Sequence, residues 1–552
     1  MKRALTVLAA GVLVLSGMLT SSARADVDGA NGTNVQDGRN SATTNQSGRG
    51  KAGSAVGGQV AGVVTGGRAS IDAHNTSRDA DLQTGDATGS NSAGTFVGLN
   101  TNTAGGPVIS DIANSCRAAA ACANVQDGSN RYTLNQTLSA VTGDGVGGQV
   151  IGLIGGGTGS ITAANSSDNV DVTTGDASGT NQSAAFVGLN RSSTGPSITA
   201  DLTNVCTTAP CPNVQDGSDR ISSSQSVNTA SGDGVAGQVI GAVTTGSLSI
   251  NARNTTTDSS VETGDATGDN SASYFVGLNV SPTGTALTAD ITGSCVAGGC
   301  SNVQTGADRL STHQSVRSTS GDGVAGGVIG AVSLRGSVRV TAANRTVDSD
   351  VTSGPADASN DLGAFVGLNA NTATGTVVSD ITNSCNGPPC DNVQDGSDRV
   401  TGSQLATAAS GDGVAGEVIG IQAAGSAWLD ATNRSDDVSA DTGESNAHND
   451  ASTFVGLNSS GTGPTITDIS GAKATNLQDG GNRKTMTQTA SATSGDAVAG
   501  QVSGVVTGAG GAHVAVANSS TNVDASSGAS DFSNEEQGFV GLNVSKTGPL
   551  IS

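Results

Sequence analysis

Five aspartates, Asp144, Asp233, Asp322, Asp412 and Asp496, each follow a glycine at one repeated position of an acidic chain. Carboxylates at regular spacing in turns are the groups that hold calcium, so structural calcium is the one cofactor this pattern admits. The spacing matches neither the EF-hand loop nor the Gly-Gly-x-Gly-x-Asp repeat, and Asp and Gly are also good turn formers without any metal. A phosphate-binding loop is excluded because no Gly-Lys-Ser/Thr follows.

Eight cysteines form four local pairs: Cys116 with Cys122, Cys206 with Cys211, Cys295 with Cys300, and Cys385 with Cys390. An even count, one repeated placement and an export signal predict four disulfides, each a clip on a short loop. A zinc site would need further ligands, and no second pair or histidine recurs beside them. The four histidines, His74, His313, His448 and His513, share no repeat position and read as surface residues. Catalysis requires an asymmetric set of groups, and none is evident; carboxylates from different turns could meet only in the fold. A non-enzymatic protein with no required cofactor is therefore expected.

These residues are positioned by a sixfold repeat. Phe-Val-Gly-Leu-Asn occurs at Phe96, Phe186, Phe275, Phe365, Phe454 and Phe539, at steps of 90, 89, 90, 89 and 85 residues. Only Phe532 stands outside the motif. The motif is expected to supply one bulky buried ring per unit. Residues 1–25 read as a signal peptide: a basic start, an apolar run and Ala23-Arg24-Ala25 before the cut. The repeats then span 26–123, 124–212, 213–301, 302–391, 392–475 and 476–552.

Within each unit an alternating segment places an apolar residue, a small residue and an asparagine on one strand face. The asparagines are Asn75, Asn165, Asn254, Asn344, Asn433 and Asn518. They are expected either to bond to one another across stacked turns or to end the strand in a turn. No helical period persists, and 82 glycines make long helices untenable. The fold class expected is all-β, an elongated β-solenoid of six units, with tandem β-sandwich domains as the alternative. Few large hydrophobes per unit disfavour the sandwiches. Two Gly-Asp turns 32 residues apart, as at Asp144 and Asp176, suggest three coils per unit. Some 18 coils would make a rod on the order of 85 Å long.

Removing the leader leaves 21 basic against 47 acidic residues, a net charge of −26. That balance disfavours nucleic acid and anionic membrane as partners. At the level of class only, the chain resembles secreted bacterial repeat proteins that build extended β structures outside the cell. The function expected is that of a secreted or cell-surface structural fibre component or adhesive rod, associating through exposed strand edges. A carbohydrate-binding or carbohydrate-cleaving solenoid is the alternative. No regular Thr-x-Thr ladder for ice binding recurs.

Overall fold

The computed structural model describes residues 34–37, 40–103, 111–116, 124–127, 130–193, 201–206, 212–216, 219–283, 290–295, 301–305, 308–373, 380–385, 390–395, 398–461, 469–472, 474–479 and 481–545. The signal segment and Cys122, Cys211 and Cys300 lie outside them, and the expected disulfides fall on side chains outside this description.

The first unit lays down seven strands: β1 (Asn34–Asp37), β2 (Ser41–Lys51), β3 (Ala55–Val56), β4 (Gln59–Thr65), β5 (Ala69–Gln83), β6 (Ala87–Thr103) and β7 (Asp111–Cys116). The next four units repeat all seven and the sixth repeats the first six among the described residues, and each strand pairs in parallel with its equivalent in the next unit. Asn75 lies beside Asn165 and then Asn254, and Phe96 beside Phe186 and then Phe275. The molecule is thus an all-β solenoid of six units, and each unit gives a strand to every sheet. That shared pairing excludes separate sandwiches.

The coil count differs from the expectation. One unit makes one coil, not three, because the two Gly-Asp turns of a unit occupy different corners of the same rung. Five steps at roughly 4.8 Å give a stack about 24 Å tall, in place of the 85 Å rod.

Several thin cores run along the stack among the described residues, and two of them are the largest. The inner face of the β4 sheet packs on the first half of the β5 sheet, through columns such as Ile151, Ile240, Ile329 and Ile419 against Ile161, Ile250, Val340 and Leu429. The β2 sheet faces the β6 sheet, through Tyr132, Ile221, Leu310 and Val400 against Val187, Val276, Val366 and Val455. Small and β-branched side chains suit this geometry, since equivalent residues must stack on themselves at the strand spacing. Polar ladders divide the cores. Asn75, Asn165, Asn254, Asn344, Asn433 and Asn518 form a continuous amide chain with bonds of 3.0–3.2 Å, the first of the two expected arrangements. Gln46, Gln136, Gln225, Gln314, Gln404 and Gln488 form another at 2.7–2.9 Å, running in the opposite sense.

Left-handed backbone marks two places in every rung. One is an Asx column inside β5 and its equivalents, from Asp79 to Asn522, with φ of 46–52°. Asp and Asn visit this region more readily than other side-chain-bearing residues, and they do so here where the strand bends. The other is the glycine of Phe-Val-Gly-Leu-Asn, with φ of 64–70° in all six copies. At Gly98 a Cβ would also collide with the Asn130 carboxamide. The motif is therefore a corner, and glycine is the residue that corner demands.

The phenylalanines are not the core rings expected of them. Phe96, Phe186, Phe275, Phe365, Phe454 and Phe539 are half-buried, while the following valine of five copies (Val97, Val187, Val276, Val366 and Val455) enters the core. The six rings instead make one stack, with centroids 4.5–5.2 Å apart and planes within 13°. Phe275→Ala should accordingly cost about 2–3 kcal/mol, from two ring contacts of about 0.5–1.5 kcal/mol each plus partial burial. Urea unfolding measures this, and a loss above about 5 kcal/mol would return the ring to the core.

Candidate functional site

The exposed turn aspartates have a structural occupation. Asp144, Asp233, Asp322 and Asp412 each accept, through one carboxylate oxygen, the backbone N–H of the equivalent Asp one rung on, at 2.8–3.2 Å. Asp496 donates its N–H at the last step. Burial raises the Asp233 carboxyl above its ordinary range; the Asp322 N–H opposes that, and the neighbouring Asp322 and Asp144 carboxylates add to it. Among the described residues no three His, Cys, Asp or Glu side chains converge as a metal-binding group.

All four histidines are exposed, as expected. His448 Nδ1 lies 2.9 Å from Ser533 Oγ, a base–hydroxyl contact, but in the open on the outer surface. His74 Nε2 lies 3.5 Å from the Asp72 carboxylate, with both side chains exposed. His513 stacks on Trp428 at 3.8 Å, and the Arg339 guanidinium lies 5.1 Å from the same indole. This Arg–Trp–His column borders a groove of about 520 Å³ lined by Thr158, Ser247, Ser249 and Ser337 among others.

The cysteine backbones bear on the loop reading in one respect. Cys116, Cys206, Cys295 and Cys385 occupy equivalent positions at the ends of β7 and its counterparts, in direct register from rung to rung.

The column that sequence reasoning missed is basic. Arg131, Arg220, Arg309, Arg399 and Arg483 pair in register at the start of the β2 sheet, with Ser41 in the first rung. The residue before each is inward: Asn130, Asp219, Asp308 and Asp398 are 1–2 % exposed, and each backbone N–H is taken by the equivalent side chain of the next rung at 2.9–3.1 Å. Alternation then forces the arginine outward. The signal was present in the sequence as Asp/Asn-Arg at the same offset in five units, but net charge averaged it away.

The β4 sheet carries apolar columns on both faces, beside an inward column of Gln and Glu417. Its outward positions read Val-Gly-Val or a close variant in every rung, from Val60-x-Gly62-x-Val64 to Val502-x-Gly504-x-Val506. Val64 is 80 % exposed and Val506 64 %. Continuous apolar runs are the mark of a parallel sheet covered on both sides, and here only the inner side is covered.

Comparison with protein-family models, with curated proteins and with solved structures gives no match to this chain.

Proposed function

We propose that the protein is a non-enzymatic structural component that acts outside the cell and assembles end to end into fibres. The carrying observation is the state of the last described rung. Val514, Val523 and Val540 stand in columns that are core elsewhere, yet they are 54 %, 41 % and 45 % exposed. The amide ladders stop there with matching polarity. Asn518 and Asn534 accept from the rung below and donate to no described residue, while Asn75 and Asn91 in the first rung donate onward. The amide donors of one end thus match the acceptors of the other. A second copy stacked head to tail would continue each ladder in register, and such a contact builds an open filament rather than a closed ring.

The outer β4 face supports lateral contact between filaments. Six strands by seven residues cover on the order of 600 Å². That falls short of the roughly 800 Å² per partner of a standard interface, so it acts where repetition along a fibre multiplies it.

The test is electron microscopy and sedimentation of the purified mature chain. Concentration-dependent filaments are expected, and Val514→Lys/Val523→Lys should abolish them while leaving the circular dichroism of the monomer unchanged. A wild-type chain that stays monomeric over a wide concentration range would overturn the proposal. Carbohydrate binding is the second reading, favoured by the half-exposed Trp428 beside its hydroxyl-lined groove; a glycan panel with Trp428→Ala separates it.

A further inference from the structure

We infer that the outer face of the β2 sheet is a binding strip for a linear anionic polysaccharide, one carrying carboxylate or sulfate groups along its length. The argument starts from the segregation of charge. The six strands Ser41–Lys51, Arg131–Val141, Arg220–Ala230, Arg309–Thr319, Arg399–Ala409 and Arg483–Thr493 contain no Asp or Glu, although the whole chain has 47. They hold nine of its 24 basic residues. Eight of these lie at outward positions; the exception is Lys484, whose ammonium turns to Glu536.

The arginine column is the centre of the strip. Five guanidinium groups follow one another over about 19 Å, at the roughly 4.8 Å strand spacing. None of them is joined by a hydrogen bond or ion pair to another described residue. Like charges held in register repel, and a bound string of anions converts that repulsion into attraction. Arginine also offers the planar fork that matches carboxylate and sulfate oxygens.

The rest of the face selects the kind of polyanion. Two residues along, Thr133, Ser222, Ser311 and Thr401 form a hydroxyl column, and with the arginines they line a shallow depression of about 490 Å³. Hydroxyls beside guanidinium groups suit a polymer that is both charged and hydroxylated. No Phe, Tyr or Trp is outward on these strands, and His313 is the one outward ring among them, whereas single-stranded nucleic acids are held by base stacking on successive aromatics as well as by charge. The chain's overall acidity does not prevent binding, because at physiological salt the Debye length of about 8 Å screens carboxylates on other faces.

The strip is on the side of the stack, so its occupancy is independent of end-to-end assembly. The experiment uses the full mature chain and polygalacturonate as probe, with dextran and poly-uridylate for comparison. Polygalacturonate should bind at low salt with an affinity falling as salt rises, with a slope of about −3 to −4 on logarithmic axes for five contacts. Dextran should not bind. The triple variant Arg220→Gln/Arg309→Gln/Arg399→Gln should weaken binding at least about 30-fold and make the slope shallower by about 2. Arg253→Gln, on the β5 sheet, should change neither. Wild-type binding by the triple variant, absence of salt dependence, or tighter binding of poly-uridylate would each overturn the assignment. Circular dichroism of each variant guards against misfolding, and filament formation by the triple variant separates failure here from failure of the stacking proposal.

Discussion

Gly237→Ala should destabilise the solenoid by about 3 kcal/mol or more, the upper end of what overpacking costs. The reason is a close approach of backbones, not a special φ. A Cβ at Gly237 would fall on the Gly326 carbonyl oxygen of the next rung and within 2.7 Å of the Ala325 carbonyl carbon. Neither atom can move without opening the hydrogen bonds at that corner, where the Gln238 N–H donates to the Gly326 carbonyl at 2.9 Å and the Gly237 N–H to the Val324 carbonyl at 3.0 Å. The same crowding recurs at Gly148, Gly326 and Gly416, so one added methyl strains the stack at any of these rungs of this column. Gly241→Ala is the control. It lies four residues away on the outer face with nothing near its Cβ position, and its substitution should change stability by less than about 1 kcal/mol. Denaturant midpoints compare the two, and equal effects would refute the close-approach argument.

Glu417→Gln should stabilise the protein at neutral pH and leave it nearly unchanged at pH 4. Glu417 is fully buried where the first, second, third and sixth rungs carry Gln59, Gln149, Gln238 and Gln501. Its Oε2 accepts from Ser435 at 2.6 Å, but Oε1 has no partner, and Gly327 leaves the place below it without a side chain. Burial raises its carboxyl above the ordinary 4.5, against the Ser435 hydrogen bond and the nearby polar groups of Thr346 and Gln501 that lower it. The folded state therefore holds this proton more tightly than the unfolded chain. Its stabilisation is complete below pH 4.5 and is lost as the pH rises through the folded value. The amide carries no charge to bury, so the variant should gain on the wild type by about 1–3 kcal/mol by pH 7. Thermal midpoints of both proteins at pH 4 and pH 7 measure it. A difference independent of pH would show that the carboxyl does not titrate with folding.

Repetition made much of this fold legible. The period-two segment Ile250-x-Ala252-x-Asn254 names a strand face, and six such segments at one spacing imply parallel stacking of equals. The asparagine ladder follows, because identical amides at the strand spacing are each other's nearest partners. The coil length was not legible in the same way. Gly-Asp turns mark corners, and a corner looks alike whether the chain has gone one full turn or a third of one. Only the pairing of Asn165 with Asn254, 89 residues apart, closes the count.

The candidate site divides along the same line. By itself the sequence determined which residues recur and hence which must stand in columns: the turn aspartates, the strand asparagines, the phenylalanines and, unread, the arginines. Tertiary structure decided which way each column faces and what it meets there. Phe275 turns outward to stack on its equivalents, since the corner made by Gly277 puts Val276 in the core instead. Arg220 faces solvent because Asp219 is drawn inward to bind the neighbouring rung. A repeat fixes spacing along an axis, but the side of the wall on which a residue emerges depends on the bends between strands, and those bends are settled by packing across the rung.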